Sequence, residues 1–331
     1  MDLTIVGATG LVGRKMIKVL EERNVAIDNF YAVASERSLG SEIGFRGQTH
    51  KVIGIDDVLE EAPDIAIFSA GAEISKKRAA EFAEINCYVI DNSSAWRMDD
   101  NVPLVIPEIN GKSIKKGNFI IANPNCSTIQ LLMALSPLHN KYGIKRVVVS
   151  TYQSVTGSGA KGIKQLLAER AKETTADKAY PHQIDMNLIP HAGDFVKDDY
   201  TSEEIKLVNE THKILDKDIA LTATVVRVPV DGGHSEAVNI EFENDFDLFE
   251  VRRLLGAMPG IVVMDMPEAN IYPMPVFAKD KDEVFVGRIR RDFSQAKSLN
   301  LWIVADNLRK GAATNAVQIA EYLIANEFVI K

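Results

Sequence analysis

"LTIVGATGLVGRKMIKVLEERN", residues 3–24, decides the fold. Residues 3–6 form a short apolar, β-branched run, the pattern of a buried strand. Gly7, Gly10 and Gly13 follow as G-x-x-G-x-x-G. Leu11, Val12, Met16, Val19 and Leu20 then make an apolar helical stripe. A strand, a three-glycine turn and a helix aim backbone N–H groups and the positive helix end at a pyrophosphate. The plainer reading is a tight strand–helix turn with no ligand.

Outward from this turn, strand-like runs recur in "NFYAVAS" (29–35), "DIAIFSAG" (64–71), "CYVIDNSS" (87–94) and "NFIIANPN" (118–125), with the helix-like "SKKRAAEFAEIN" (75–86) between two of them. Alternating strand and helix predicts a Rossmann-like, doubly wound parallel sheet. The pattern changes after residue 145. "KRVVVSTYQSV" (145–155) reads as a long strand entering the loop "TGSGAKG". A polar, helix-rich stretch runs from about Ile163 to Leu215. "IALTATVVRVPV" and "SEAVNIEFE" read as strands joined by "DGGH", and "EVFVGRIRRD" with "SLNLWIVADN" as a hairpin. This half is predicted to be α+β with a mostly antiparallel sheet. A long amphipathic helix, "AATNAVQIAEYLIANEF", comes last.

With 331 residues the chain is long enough for two domains. Its net charge of −8 argues against a general nucleic-acid partner but leaves room for a local anion pocket. Two cysteines make no disulfide framework and fit a reducing, cytoplasmic setting. "MDLTIVGATG" lacks the basic and apolar regions of a signal peptide, and no apolar run approaches the ~20 residues of a membrane span. No metal-ligand pattern stands out. At the end of the second strand, Ser35, Arg37 and Ser38 in "ASERSLG" suit a 2′-phosphate, so NADP is expected over NAD; Glu36 would repel the phosphate if it pointed inward.

Cys126, in "ANPNCSTIQLLMAL", ends a strand and opens a helix. A free thiol has a pKa of about 8.5, so only ~3% is thiolate at pH 7. A helix start contributes roughly 0.3–1 kcal/mol, less than the ~1.36 kcal/mol of one pKa unit. The thiol therefore needs a basic partner. Of six histidines, His139 and His212 read as polar helix surface, His50 as loop, and His182 and His191 as ordinary residues of the helix-rich stretch. His234 follows Asp-Gly-Gly between two strands, where a turn can aim it into a cleft. Arg227 stands in an apolar strand, where a guanidinium pairs with a buried acid or grips a carboxylate. Cys87 reads as a small buried hydrophobe.

With these residues assembled, the chain resembles the aspartate-β-semialdehyde dehydrogenases over essentially its whole length. The motifs are "GATGLVG", "SERS", "NSSAWR", "NPNCST", "TYQSVTGSG", "EEIK", "RVPVDGGHSE", "FVGRIRRD" and "DNLRKGAA". The resemblance implies NADPH-dependent reduction of L-aspartyl 4-phosphate to aspartate semialdehyde and phosphate, in biosynthesis of lysine through diaminopimelate, threonine, methionine and isoleucine. It implies that Cys126 is the thioester nucleophile, His234 the general acid/base taking the thiol proton, and Gln153 the orienting residue. Arg227 would hold the α-carboxylate, Glu203 the α-ammonium, and Arg97 with Lys206 the phosphate. Asn125 could assist the oxyanion. Gly7, Thr9, Gly10, Leu11, Val12, Gly13, Ser35, Arg37, Ser38, Thr156, Gly157 and Asn307 would contact NADP. Domain bounds are drawn at 1–126 for the NADP domain, completed by the C-terminal helix at about 308–331, and 127–307 for the catalytic and dimerisation domain. A homodimer or tetramer is implied, with no nucleic acid and no membrane. Glu203 and Lys206, three apart, share a face if helical; alone, that pair reads as a surface ion pair. The glycines before His234 are expected to add mobility there. The competing readings are N-acetyl-γ-glutamyl-phosphate reductase and a non-catalytic dinucleotide-sensing regulator.

Overall fold

β1 (Asp2–Val6) leads into α1 (Leu11–Glu22), β2 (Asn29–Val33), β3 (Glu42–Phe45), β4 (Gln48–Ile53), α2 (Ile55–Glu60), β5 (Ile65–Phe68), α3 (Ala72–Glu84), β6 (Tyr88–Asp91), α4 (Pro107–Asn110) and β7 (Ile120–Ala122). The sheet order is β3-β4-β2-β1-β5-β6-β7. Every pairing is parallel except the β3–β4 hairpin at one edge. β5 and β6 are buried throughout and β1 from Leu3 onward, as strands covered on both faces must be. The computed structural model describes residues 1–173 and 177–329; residues 174–176 of the polar stretch and 330–331 of the C-terminal segment lie outside the described residues.

The chain divides into two compact units, Met1–Pro124 with the segment from Ala312 onward, and Asn125–Gly311. Cys126 thus falls in the second unit, which Asn125 opens, where the sequence reading closes the first unit with it. The first unit has a helix from the far end of the chain, Thr314–Ala325, whose Ala316, Val317, Ile319, Ala320 and Leu323 share one apolar core with Leu3, Ile5, Met16 and Leu20. Each Ile or Leu buried this way contributes roughly 1.5–3 kcal/mol. Arg23 on α1 binds Glu321 on that helix through two hydrogen bonds.

The second unit contains α5 (Cys126–Tyr142), β8 (Ile144–Gln153), α6 (Gly159–Arg170), α7 (Ser202–Ile214), β9 (Ala220–Arg227), β10 (His234–Phe242), α8 (Leu248–Ala257), β11 (Ile261–Val263), α9 (Pro275–Ala278), β12 (Val284–Arg291) and β13 (Ser298–Ala305). Its order is β11-β12-β13-β10-β8-β9. The three central pairings are antiparallel and the two outer ones parallel, so the sheet is mixed. β9 and β10 are joined through "DGGH" but do not pair, because β8 lies between them and pairs with both. α5 packs on this sheet and is buried without a break from Ser127 to Ser136, the signature of a central helix. Between α6 and α7 the described chain is irregular rather than helix-rich. His50 lies on β4, edge-on to Phe30, rather than in a loop.

Candidate active site

In the first unit the glycine turn is shaped by backbone crowding. Gly7 has φ +98°, and a Cβ there would lie 2.5 Å from the Ser69 carbonyl oxygen. A Cβ on Gly13 would meet the Gly7 oxygen at 2.2 Å, so α1 can press against the strand only with glycine here. α1 has no side-chain cap and no acid in its first turn, which leaves its starting amides to an anion. A cavity of about 270 Å³ is lined by Gly7, Thr9, Gly10, Ser35, Ile55 and Ile74 among others. Apolar walls beside open helix amides fit the adenosine end of a dinucleotide. Ser35, Glu36 and Arg37 are exposed at the rim and Ser38 is half-buried.

In the second unit, Pro124–Asn125 sets the start of α5. Asn125 caps the helix, its side-chain oxygen accepting from the Ser127 and Thr128 amides at 3.0 and 3.4 Å. Its amide nitrogen donates to Glu203 Oε1 at 2.8 Å, and its backbone N–H to Glu210 Oε2 at 2.7 Å. The Asn125 side chain is thus a cap and a tether, and Cys126 follows at the first helical position. Gln153, at the end of β8, donates to Ser127 Oγ at 2.8 Å.

Glu203 and Lys206 do share a face of α7, paired at 3.0 Å. This is no surface pair at the acid end, where the Glu203 side chain is 13% exposed. Burial pushes the Glu203 carboxyl up, but Lys206, the Asn125 amide and Arg227 outweigh it and hold it below the usual range. Arg227, buried at the end of β9, donates from Nη1 to the Ser154 carbonyl at 2.8 Å. Its Nε is buried without a hydrogen-bond partner.

His234 is fully buried. Burial first, and Arg227 second, push its pKa down to about 3; Glu203 and the Gly233 carbonyl pull weakly the other way. Nδ1 accepts from the Ser154 N–H at 3.1 Å. The neutral ring therefore carries its proton on Nε2. With Nδ1 already an acceptor and Arg227 nearby, the resting ring offers Nε2–H as a donor. Gly232 and Gly233 are buried at φ +103° and +81°, and the Gly232 N–H donates to Ser154 Oγ at 2.8 Å.

Thr156 and Asn307, far apart in sequence, meet at 3.0 Å. Gly157 sits over the histidine and arginine: a Cβ there would lie 2.6 Å from Arg227 Nη1 and 3.2 Å from His234 Nε2. Arg97 belongs to the first unit, buried and donating to the Asn123 and Asn92 carbonyls. Sequence reasoning missed Ser154, Ser127 and Glu210. Glu210 carried a usable signal, seven residues after Glu203 and hence on the same helical face. Ser154 carried none, since it acts through its backbone as much as its hydroxyl.

A buried imidazole fixed as a donor and a thiol at a helix start suit carbonyl chemistry, and the glycine turn suits a redox dinucleotide. Together they define the class, a dinucleotide-dependent oxidoreductase acting on an aldehyde. Residues 2–117 match the family model described as semialdehyde dehydrogenase, NAD binding domain, and residues 135–310 match semialdehyde dehydrogenase, dimerisation domain. The chain belongs to the aspartate-semialdehyde dehydrogenase family. It is 51% identical to the aspartate-semialdehyde dehydrogenase of Aquifex aeolicus over 97% of each chain. It is similar to the aspartate semialdehyde dehydrogenase II of Vibrio cholerae complexed with ASA, 44% identical with a TM-score of 0.94 over 98% of each chain. It is also similar to the Candida albicans enzyme with NADP, 25% identical with a TM-score of 0.77 over 99% of each.

Proposed function

We propose that the chain is an aspartate-semialdehyde dehydrogenase that reduces L-aspartyl 4-phosphate to L-aspartate 4-semialdehyde and phosphate, with NADPH, through a Cys126 thioester. The observation that carries this reading is the pair of opposite buried charges, Glu203 and Arg227, grouped with His234 in the unit that α5 opens with Cys126. An α-amino acid presents one cation and one anion to such a pair. Arg227 holds the α-carboxylate, Glu203 the α-ammonium, and Lys206 with Arg97 the phosphate.

In the first step Cys126 Sγ bonds to the acyl carbon, the bond from that carbon to the phosphate oxygen breaks, and the thiol proton leaves on the phosphate. NADPH, when bound by the Gly7–Gly13 turn with Ser35, Arg37, Ser38, Thr156, Gly157 and Asn307, supplies a hydride equivalent. Cys126 then departs as thiolate from the reduced carbon and regains a proton from solvent. In both steps the carbonyl oxygen gathers charge. His234 Nε2–H serves it as donor, and the first-turn amides of α5 add to that. Gln153 orients the acyl group.

The assay is phosphate-dependent oxidation of aspartate semialdehyde, followed as NADPH absorbance and repeated with NAD and with N-acetylglutamate semialdehyde. Turnover with the free amino acid and NADP is expected. No turnover sinks the reading, and preference for the acylated substrate turns it to N-acetyl-γ-glutamyl-phosphate reductase. That rival makes an ionised Glu203 pointless, because an acylated amine carries no charge. A non-catalytic sensor would bind NADP and turn over nothing. The dimerisation-domain match supports self-association, here as a homodimer or tetramer working in the cytoplasm.

A further inference from the structure

Glu236 has no part in the chemistry above, yet it stands two residues from His234 on the same strand. Gln130 is four residues after Cys126, one turn further along α5, so it shares that face. Glu236 is two residues after His234 on β10, so it shares that side of the sheet. Gln130 and Glu236 thus follow Cys126 and His234 by one helical turn and one pleat, on elements that meet at the His234 carbonyl. Both side chains are fully buried.

The bonding here is directional. Gln130 Nε2 donates to the His234 carbonyl at 3.4 Å. Turning the amide over would set oxygen against oxygen, so Oε1 faces away from that carbonyl and needs a donor. Gln130 Oε1, both Glu236 oxygens and Thr151 Oγ1 are buried without a hydrogen bond of ordinary geometry. Glu236 pairs in register with Thr151 of β8 on one side and Ile303 of β13 on the other. The groups facing it are thus Gln130 from α5, Thr151 and Ile303. None is charged, and among the described residues no charged group acts on this carboxyl.

We propose that Glu236 is a positioning residue: as an uncharged acid it donates to Gln130 Oε1, so that Gln130 holds the His234 carbonyl and ties the start of β10 to the nucleophile helix. Burial pushes the Glu236 carboxyl well up, and the Gln130 amide opposes this only in part. The role rests on the functional reading above; the protonation state does not.

The test has two arms. Infrared difference spectra of the full enzyme should show a protonated carboxylic C=O band that persists from about pH 6 to about pH 9 and disappears in Glu236→Gln. No such band, or a band the substitution leaves in place, overturns the proposal. In the kinetic arm, Glu236→Leu should lower kcat about ten-fold with KM for the semialdehyde little changed, and Glu236→Gln, which keeps a donor, should recover most of it. Equal losses in both variants overturn the donor role. If wild-type enzyme shows no turnover, the functional reading falls, while the infrared arm still decides the state of Glu236.

Discussion

The Gly7–Gly13 turn and the Cys126–His234 site are built by opposite means. The turn is contiguous, made of backbone, and its constraints are steric: two missing Cβ atoms let a strand, a helix and a neighbouring loop approach. The site draws single side chains from α5, β8, α7, β9 and β10, and its constraints are electrostatic and directional. A contiguous backbone device can be read off a sequence. A device assembled by topology can be read only through residue types that are out of place.

The first way to break this comparison is Cys126→Ser. If the second unit carries the chemistry, turnover should fall by ~10³-fold or more, with the unfolding midpoint and NADP binding unchanged; stopped-flow absorbance and calorimetry would check both. Arg227→Lys comes next. It loses the paired donors of a guanidinium in a buried site, so KM for the semialdehyde should rise by roughly 10²-fold with a smaller loss in kcat. Gly7→Ala should strike only the other region. Positive φ and a 2.5 Å clash with Ser69 predict a loss of about 1–3 kcal/mol in urea unfolding and a raised Kd for NADP. At saturating cofactor the variant should keep kcat; a fall as deep as that of Cys126→Ser would erase the division of labour.

The last effect is on pH. His234 has its pKa lowered to about 3 by burial and Arg227, against about 6.5 in an unfolded chain. Between these values the unfolded state binds the extra proton, so stability rises with pH through that window and is lost on acidification. The urea midpoint should fall from about pH 7 to about pH 4.5, and less steeply in His234→Asn. Equal slopes would mean that His234 is not held neutral.

What the sequence made legible follows the same division. β1, β5 and β6 are central parallel strands, and their apolar runs announce them. β3 and β4 were missed because β3 alternates over only four residues, Glu42 to Phe45, and β4 is polar as far as Lys51. β8 between β9 and β10 could not be foreseen, since pairing across long separations leaves no local mark. At the site, a thiol at a helix start, a histidine after two glycines and an arginine in an apolar strand stood out by type. Ser154 did not, because its N–H and carbonyl do the holding. Nor did the proton on His234, which depends on a neighbour 80 residues away.

The helix Thr314–Ala325 has a consequence for how the chain comes into being. The core it shares with Leu3, Ile5, Met16 and Leu20 is incomplete until residues 314–325 have been translated. At ~5–20 residues per second, roughly 10–40 s separate synthesis of Pro124 from that of Ala312. Through that interval the nascent first unit presents bare apolar surface, while the whole of Asn125–Gly311 emerges behind it as one uninterrupted stretch. The ribosome thus finishes the second unit before it can finish the first, and the waiting half is the one a chaperone would be expected to hold.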